Sequence, residues 1–451
     1  MNEKIFREYD IRGIYGTDIT EENAYLMGKA FGSYIQLENH YKVIVGYDNR
    51  ISSPIIFESL KKGLLETGVD VTSLGLVTTP MYYFAKKEYE FDCGIMITAS
   101  HNPKEYNGYK ISFDKIGNAY GEKIQDFKRF LLKGEFVTGN GTFKELDIKE
   151  EYINLFKHSL DIGFRKVKVV VDAGNGTGSI IIKDILDALG ITYCLIYCTS
   201  DPTFPNHHPD PSVPENMAVL SSKVVELGYH LGIAFDGDAD RIGLVDELGN
   251  IIQADMIMDI FYRDLKDKMP VKKAIYDVKC SNALVHDLKK MGYQTLMYRT
   301  GNSYMNAKIN EDNYTFGGEF SGHLWFRDRF PGFDDGIYAG LRLVELLSNT
   351  DKSISMLLSD TEKFISTKEI KIKVTDETKF KIVDYVKEYA KEKNYTFYDI
   401  DGVRIEFPDG FALVRASNTG PDLTVRFEAR TEERLTEIKE EFETLISNYK
   451  N

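Results

Sequence analysis

The chain has 451 residues, 43% of them hydrophobic and 28% charged, with a formal net charge of −14 and no dense lysine or arginine run. These figures exclude a mainly disordered chain and an extended surface for nucleic acid or anionic membrane, and they predict roughly three or four domains of about 100 to 150 residues. The start, Met1 to Glu8, has no apolar h-region, no stretch approaches a membrane span, and the four cysteines form no Cys-x-x-Cys pair, so a reducing cytoplasm without disulfides or zinc is expected.

From residue 1 to about 150, strand-like runs such as Val43-Ile44-Val45-Gly46-Tyr47, Val69-Asp70-Val71 and Cys93-Gly94-Ile95-Met96-Ile97 alternate with helical periods over 54–66 and 81–89. This is the alternation of a mixed or parallel sheet covered by helices. The glycine-rich stretch 134–141 reads as the exit from this domain. A second α/β unit, 151–250, opens on Lys166 to Asp172, a strand running into Ala173-Gly174-Asn175-Gly176-Thr177-Gly178. The glycine spacing fits neither a dinucleotide fingerprint nor a phosphate loop, so a tight strand-to-helix turn is expected. His207 and His208, in the proline-rich stretch 202–214, lack an evident third ligand and read as part of a rigid connecting loop. The alternation repeats over 251–365. The segment 366–451 differs: Ile370 to Val374 alternates in period two, a helix is expected at about 377–391, then three short strands and a closing helix at about 431–447. That order suits a small α+β domain.

Four stretches carry chemistry. Thr98-Ala99-Ser100-His101-Asn102-Pro103 follows a buried strand, where open α/β sheets place their ligands, and makes Ser100 the candidate nucleophile. The bland alternative is a strand and a turn. Asp236-Gly237-Asp238-Ala239-Asp240-Arg241 sets three carboxylates at alternate positions with small residues between, a pattern that lets them converge on one hard cation. An EF-hand is disfavoured because Arg241 stands at position 6, where glycine is required. The expected ion is Mg²⁺, with Arg241 stabilising charge on a phosphoryl group. Gly317 to His323 offers Glu319, Ser321 and His323, which would point one way if extended and could read a polyol; a polar turn is the alternative. Arg415-Ala416-Ser417-Asn418-Thr419-Gly420-Pro421 would grip one phosphate, or be a simple hairpin turn. Together the four predict phosphoryl transfer to and from a phosphosugar.

These motifs, with Tyr9-Asp10-Ile11-Arg12-Gly13 near the start, resemble the α-D-phosphohexomutases, most nearly the phosphomannomutase/phosphoglucomutase branch, from end to end. The resemblance implies a heart-shaped, four-domain architecture: three α/β mixed-sheet domains (1–150, 151–250, 251–365) carrying the phosphoserine, metal and sugar loops, and an α+β domain (366–451) carrying the phosphate loop. It implies that hexose 1- and 6-phosphates, of mannose or glucose, interconvert through phosphorylated Ser100 and a hexose 1,6-bisphosphate, with Mg²⁺ on Asp236, Asp238, Asp240 and the serine. Arg12, His101 and Lys110 would be acid/base and phosphate-steering groups beside Arg241. Tyr9, Lys279, Glu319, Ser321, His323, Arg415, Ser417, Asn418 and Thr419 would contact substrate. The partners expected are phosphosugars alone, with no nucleic acid or membrane, and the chain as a monomer or weak homo-oligomer. Two positions depart from the family pattern: Asn302, where a histidine is frequent, and Gly420, where Glu or Thr is usual. A phosphosugar phosphatase, or a catalytically silent sugar-phosphate-binding protein, is the alternative reading.

Overall fold

The structure, a computed structural model, describes residues 2–417 and 420–450. It contains four sheets. The first runs Ile11–Ile14, Tyr106–Ser112, Cys93–Ile97, Lys42–Tyr47, Asp70–Leu76, Phe143–Glu145. Its last four strands are parallel, and Tyr106–Ser112 returns antiparallel beside Cys93–Ile97. The second sheet has parallel strands Thr192–Ile196, Lys168–Asp172 and Leu231–Phe235, after which Ile242–Asp246 returns antiparallel. The third repeats the scheme with Gln294–Tyr298, Lys273–Asp277 and Phe316–Gly318 parallel and Leu324–Phe326 returning.

This shared plan has a functional consequence. In each of the three sheets the loop between the last parallel strand and its antiparallel partner is one of the chemical motifs: Thr98 to Glu105, Asp236 to Arg241, Glu319 to His323. The fourth sheet is antiparallel throughout, and the connection between Gly410–Ala416 and Asp422–Ala429 carries the Arg415 motif.

Two expectations change in detail. The 134–141 stretch does not leave the first domain: Gly139 and Gly141 donate to the carbonyls of Glu66 and Leu65, and Phe143–Glu145 adds a sixth strand beside Asp70–Leu76. Ile251–Ile252 pairs with Leu244 and Val245, and Ile365–Ser366 pairs with Ala429 and Glu428, so the expected division at 250 lies in a hairpin turn and that at 365 in a two-residue strand. Four strands, not three, follow the helix Thr378–Glu392, because the short run Thr396–Tyr398 pairs with Val403–Phe407. The Gly174 stretch is the expected tight turn, leading into a 3₁₀ turn at Thr177–Ile180 and the helix Ile182–Ala188.

The central parallel strands are apolar on both faces because helices cover both, as buried parallel sheets require. Cys93–Ile97 and Leu231–Phe235 are buried at every position. One continuous core links the first three units, from Ile44 and Tyr82 through Phe156 and Ile233 to Phe326 and Tyr338. The fourth keeps its own core, around Ile382, Val425 and Phe442.

Candidate active site

Ser100 sits three residues past the strand Cys93–Ile97 with φ +49°, the left-handed region that a serine adopts only when its surroundings impose it. Two contacts do so: Ser100 N–H donates to Thr98 Oγ1 at 2.9 Å, and Arg50 Nη2 donates to the Ser100 carbonyl at 2.8 Å. Arg50 is 1% exposed. It also donates to the carbonyls of Asn102 (2.6 Å), Pro103 (2.6 Å) and Tyr106 (3.1 Å), and its Nε pairs with Asp48 at 3.1 Å. One guanidinium thus serves four backbone acceptors of the Ser100 loop, groups that are costly to bury unpaired.

The Ser100 hydroxyl donates to Asp236 Oδ2 at 2.8 Å and lies 3.3 Å from His101 Nδ1. Side chains that diverge in an extended strand meet here because the serine is left-handed, so His101 is closer to the nucleophile than sequence adjacency suggests. Burial, then Arg241 and Arg12, push the His101 imidazole well below its usual range, and it stands neutral. Arg12 donates to Asn102 Oδ1 at 2.7 Å and pairs with Asp10 at 3.0 Å.

Asp236, Asp238 and Asp240 are fully buried and their carboxylate oxygens lie within 4.8 Å of one another. Ala239 is left-handed (φ +63°), and a Cβ on Gly237 would lie 2.5 Å from the Ser100 carbonyl oxygen, which explains the small residues between the acids. Lys110 bridges Asp238 (2.9 Å) and Asp240 (2.5 Å); burial opposes its charge, but the two carboxylates outweigh burial and hold its pKa well above the usual value. Thr79 Oγ1 also donates to Asp238, at 2.6 Å. Burial, with Asp240 and Asp238 beside it, drives the Asp236 pKa well up, whereas Lys110 and Thr79 overcome burial and hold Asp238 down. Asp238 Oδ1 and Asp240 Oδ1 are buried without a hydrogen-bond partner. Three converging carboxylates with two orphaned oxygens are a donor set for a hard divalent cation, the partner that would relieve both the repulsion and the missing bonds.

From this cluster the contacts run into the third unit. Arg241 lies 3.8 Å from Asp236, and its Nε donates to His323 Nε2 at 2.9 Å. His323 Nδ1 meets Asp334 Oδ2 at 2.7 Å, and Asn302, the departure noted in the sequence, donates to the same Asp334 carboxylate and lies 3.3 Å from His323 Nδ1. Glu319, Ser321 and His323 do not project as one extended row. Glu319 to Gly322 is a tight turn, closed by Gly322 N–H on the Glu319 carbonyl, with Gly322 at φ +96°. Glu319 therefore accepts from Gly301 N–H (2.6 Å) and Ser321 (3.0 Å), while His323 belongs to the carboxylate cluster. Burial raises the Glu319 pKa. Lys279, itself buried, pairs with Glu369 at 3.0 Å and lies 3.9 Å from Asp277.

In the fourth unit, Arg415 Nε donates to Asp401 at 3.1 Å, and the same carboxylate accepts from Thr300 N–H at 3.0 Å, joining the third and fourth units. Lys379 donates to the carbonyls of Ser417 (2.8 Å) and Gly420 (3.1 Å), pinning both ends of the Arg415 loop. Asn418 and Thr419 lie outside the described residues. Tyr9 lies between the units: burial first, then Asp10, raises its hydroxyl to about 12, with Arg415, Glu319 and Asp401 also acting on it. Arg50, Asp48, Asp334, Asp401 and Lys379 escaped the sequence reading; each stands in an unremarkable polar run and gains its role from distant partners.

Fold and site together define a multi-unit α/β enzyme with a serine set against a cation-binding carboxylate cluster. Family models agree unit by unit: phosphoglucomutase/phosphomannomutase alpha/beta/alpha domain I matches residues 3–135, domain II 150–249, domain III 253–364, and the C-terminal domain 369–445. A phosphomannomutase/phosphoglucomutase of Pseudomonas putida is 40% identical over 448 residues, 99% of this chain and 96% of the relative. A phosphoglucomutase of Neisseria meningitidis serogroup A is 38% identical over 451 residues, 99% and 97% of the two chains. The crystal structure of a phosphoglucomutase/phosphomannomutase family protein from Burkholderia thailandensis superposes with a TM-score of 0.92 at 36% identity, covering 100% of this chain and 98% of that one. The chain belongs to the phosphoglucomutase/phosphomannomutase family and is an isomerase.

Proposed function

We propose that the protein interconverts the 1- and 6-phosphates of glucose or mannose, with Ser100 carrying the phosphoryl group and a hexose 1,6-bisphosphate as the intermediate. The observation that carries this reading is the Ser100 hydroxyl, 2.8 Å from a buried carboxylate in a cluster with two orphaned acceptor oxygens. Asp236, Asp238 and Asp240 would hold Mg²⁺, which, when bound, supplies positive charge to the phosphoryl oxygens. Arg12 and Arg241 flank the serine and would steady the equatorial oxygens as the phosphoryl passes from Ser100 Oγ to a sugar hydroxyl. His101, its Nδ1 3.3 Å from Ser100 Oγ, would take that hydroxyl's proton and return one to the Ser100 oxygen, while His323, held at Nδ1 by Asp334, accepts from Arg241 Nε at Nε2 and so orients that guanidinium. In the reverse half the bisphosphate returns its other phosphate to Ser100, leaving the isomer.

Glu319 with Ser321 would take ring hydroxyls, and Arg415 with Ser417, Asn418 and Thr419 the phosphate that is not reacting; Tyr9 and Lys279 border this part of the site. Because transfer alternates between the two ends of the sugar, a dedicated grip for the idle phosphate favours a mutase over a phosphatase. The proposed setting is cytoplasmic, with phosphosugars as the only partners and the chain acting as a monomer or weak homo-oligomer; among the described residues no helix is long and apolar enough to cross a membrane.

The test is a coupled assay of the purified protein and its Ser100→Ala variant on glucose 1-phosphate, mannose 1-phosphate and glucosamine 1-phosphate, with and without Mg²⁺, while free phosphate is followed. Isomer formation that requires both Ser100 and Mg²⁺ is expected. Unchanged turnover in Ser100→Ala refutes the carrier role, and phosphate release without isomer makes the enzyme a phosphatase.

A further inference from the structure

Apart from the proposed active site, a cavity of about 390 Å³ opens where the helix Thr79–Glu88 and the 112–118 loop of the first unit face the helix Asn302–Glu311 and the 331–334 segment of the third. Tyr83, Phe91 and Phe333 give it aromatic walls, and Asn118, Asn306 and Asn310 add amides. Two adjacent lysines also line it. Lys86 is 6% exposed, and its ammonium donates to the Asp114 carbonyl at 2.5 Å; Lys87 donates to the Pro331 carbonyl. Among the described residues neither lysine forms an ion pair.

An ammonium carries three donors, and one carbonyl uses only one of them. A buried charge without a counter-ion is costly, and here burial pulls the Lys86 pKa down to about 8, with Asp114, Cys93 and Asp92 acting against the fall and Lys115 adding to it. Of the acids on the cavity wall, Asp334 is engaged by His323 and Asn302, and Glu90 makes no ion pair with either lysine. Spare ammonium donors, aromatic walls and a volume in the small-molecule range select an anion with a flat apolar body.

We propose that this cavity is a binding site for a small aromatic carboxylate, its carboxylate taking the spare donors of Lys86 and Lys87 and its ring lying against Tyr83 and Phe333. The site is coupled to the chemistry through its far wall. Asn302 and Asp334 line the cavity and also hold His323, so an occupant there changes the support of that imidazole and with it the turnover.

Benzoate is the probe, titrated by calorimetry into the full chain and its Lys86→Met and Arg415→Ala variants. Binding should be equal in wild type and Arg415→Ala, and roughly 10- to 100-fold weaker in Lys86→Met, the range set by one charge-assisted hydrogen bond. It should weaken as pH rises through 8, because the carboxylate needs the protonated amine. If Lys86→Met does not fold, acetylation of the wild type with and without benzoate decides, since bound benzoate should shield Lys86 and leave exposed lysines reactive. Binding lost in Arg415→Ala but kept in Lys86→Met, equal acetylation of Lys86 with and without benzoate, or no binding at millimolar benzoate would each overturn the proposal. Binding is read without turnover, so a failure here is distinct from a failure of the mutase reading.

Discussion

The first three units and the fourth are attached to the molecule by different forces. A single apolar core passes from Tyr82 through Phe156 and Ile233 to Tyr338, so the loops of Ser100, the three aspartates and His323 rest on one packed body. The fourth unit meets this body through a small apolar cluster, Val278 with Phe411 and Leu413, and through buried charges. Arg404 donates to the carbonyls of Val278 (2.7 Å) and Cys280 (2.6 Å), Arg426 donates to the Lys279 carbonyl, and Arg426 lies 4.0 Å from the centre of the Phe320 ring. Apolar packing is non-directional and spread over many contacts, whereas a guanidinium clamp is directional and concentrated in a few. The residues proposed for the chemistry therefore stand on the rigid part, and the proposed phosphate grip around Arg415 on the part with the least apolar attachment. A substrate that must present either end to Ser100 is served by such a division.

The sharpest way to break this comparison is at Arg50, the clamp inside the rigid part. Arg50→Met removes the counter-charge of Asp48 and a donor from four carbonyls, a loss of about 3–5 kcal/mol in stability by analogy with other broken buried pairs. Because the serine loop loses its register, kcat should fall by about 100-fold or more even in the folded fraction. Wild-type kcat in a folded Arg50→Met protein would remove the guanidinium from any positioning role. Next in size come Arg404→Met and Arg426→Met. These should loosen the fourth unit, raising KM by roughly 10-fold while kcat changes less, with faster amide exchange confined to residues 369–445 and the 278–280 loop. A fall in kcat alone would show that the two regions move as one.

The groups proposed for the chemistry were more legible in the sequence than the groups that hold them. Ser100, the aspartates, Glu319, His323 and Arg415 stand in short runs whose residue types converge locally, and each run lies in a strand-to-strand connection. Arg50 is separated from Ser100 by 50 positions and Arg404 from Val278 by 126, and nothing in Asp48-Asn49-Arg50 or Val403-Arg404-Ile405 distinguishes a carbonyl clamp from a polar surface run. A clamp's acceptors are backbone atoms, which every residue has, so its partner leaves no mark in the sequence. The repeated placement of the loops was hidden for a related reason: the three units share a strand plan but no residue period. Phe143–Glu145 was missed because its pairing to Asp70–Leu76 depends on a glycine-rich return, and glycines mark an exit and a return alike.

Arg415 tests the grip itself. Arg415→Ala should weaken apparent substrate affinity by roughly 10- to 100-fold, the equivalent of about 1.5 to 3 kcal/mol for a charge-assisted hydrogen bond. A normal KM for hexose phosphate would count against a phosphate held there. The variant should leave the melting temperature of the three-unit body unchanged, which separates loss of grip from loss of fold.

The smallest expected effect lies deepest in the shared core. Asp335 caps the helix Gly336–Ser348 by accepting from Tyr338 N–H at 2.9 Å, and Tyr152 of the second unit donates to its other oxygen at 2.5 Å. Burial raises its pKa to about 7, well above the value of about 3.9 for an unfolded aspartate. The folded state therefore holds a proton that the unfolded state has lost between about pH 4 and 7, so this contribution to stability is full below that window and disappears as pH climbs through it. Asp335→Asn keeps a capping carbonyl and carries no titrating proton. Its melting temperature should change less than the wild type's across that window and exceed it above pH 7, by on the order of a few degrees. An unaltered pH profile in the variant would mean that the carboxylate is already relieved by its two hydrogen bonds, and that the core joining the first three units accommodates a buried charge as readily as the polar joint to the fourth.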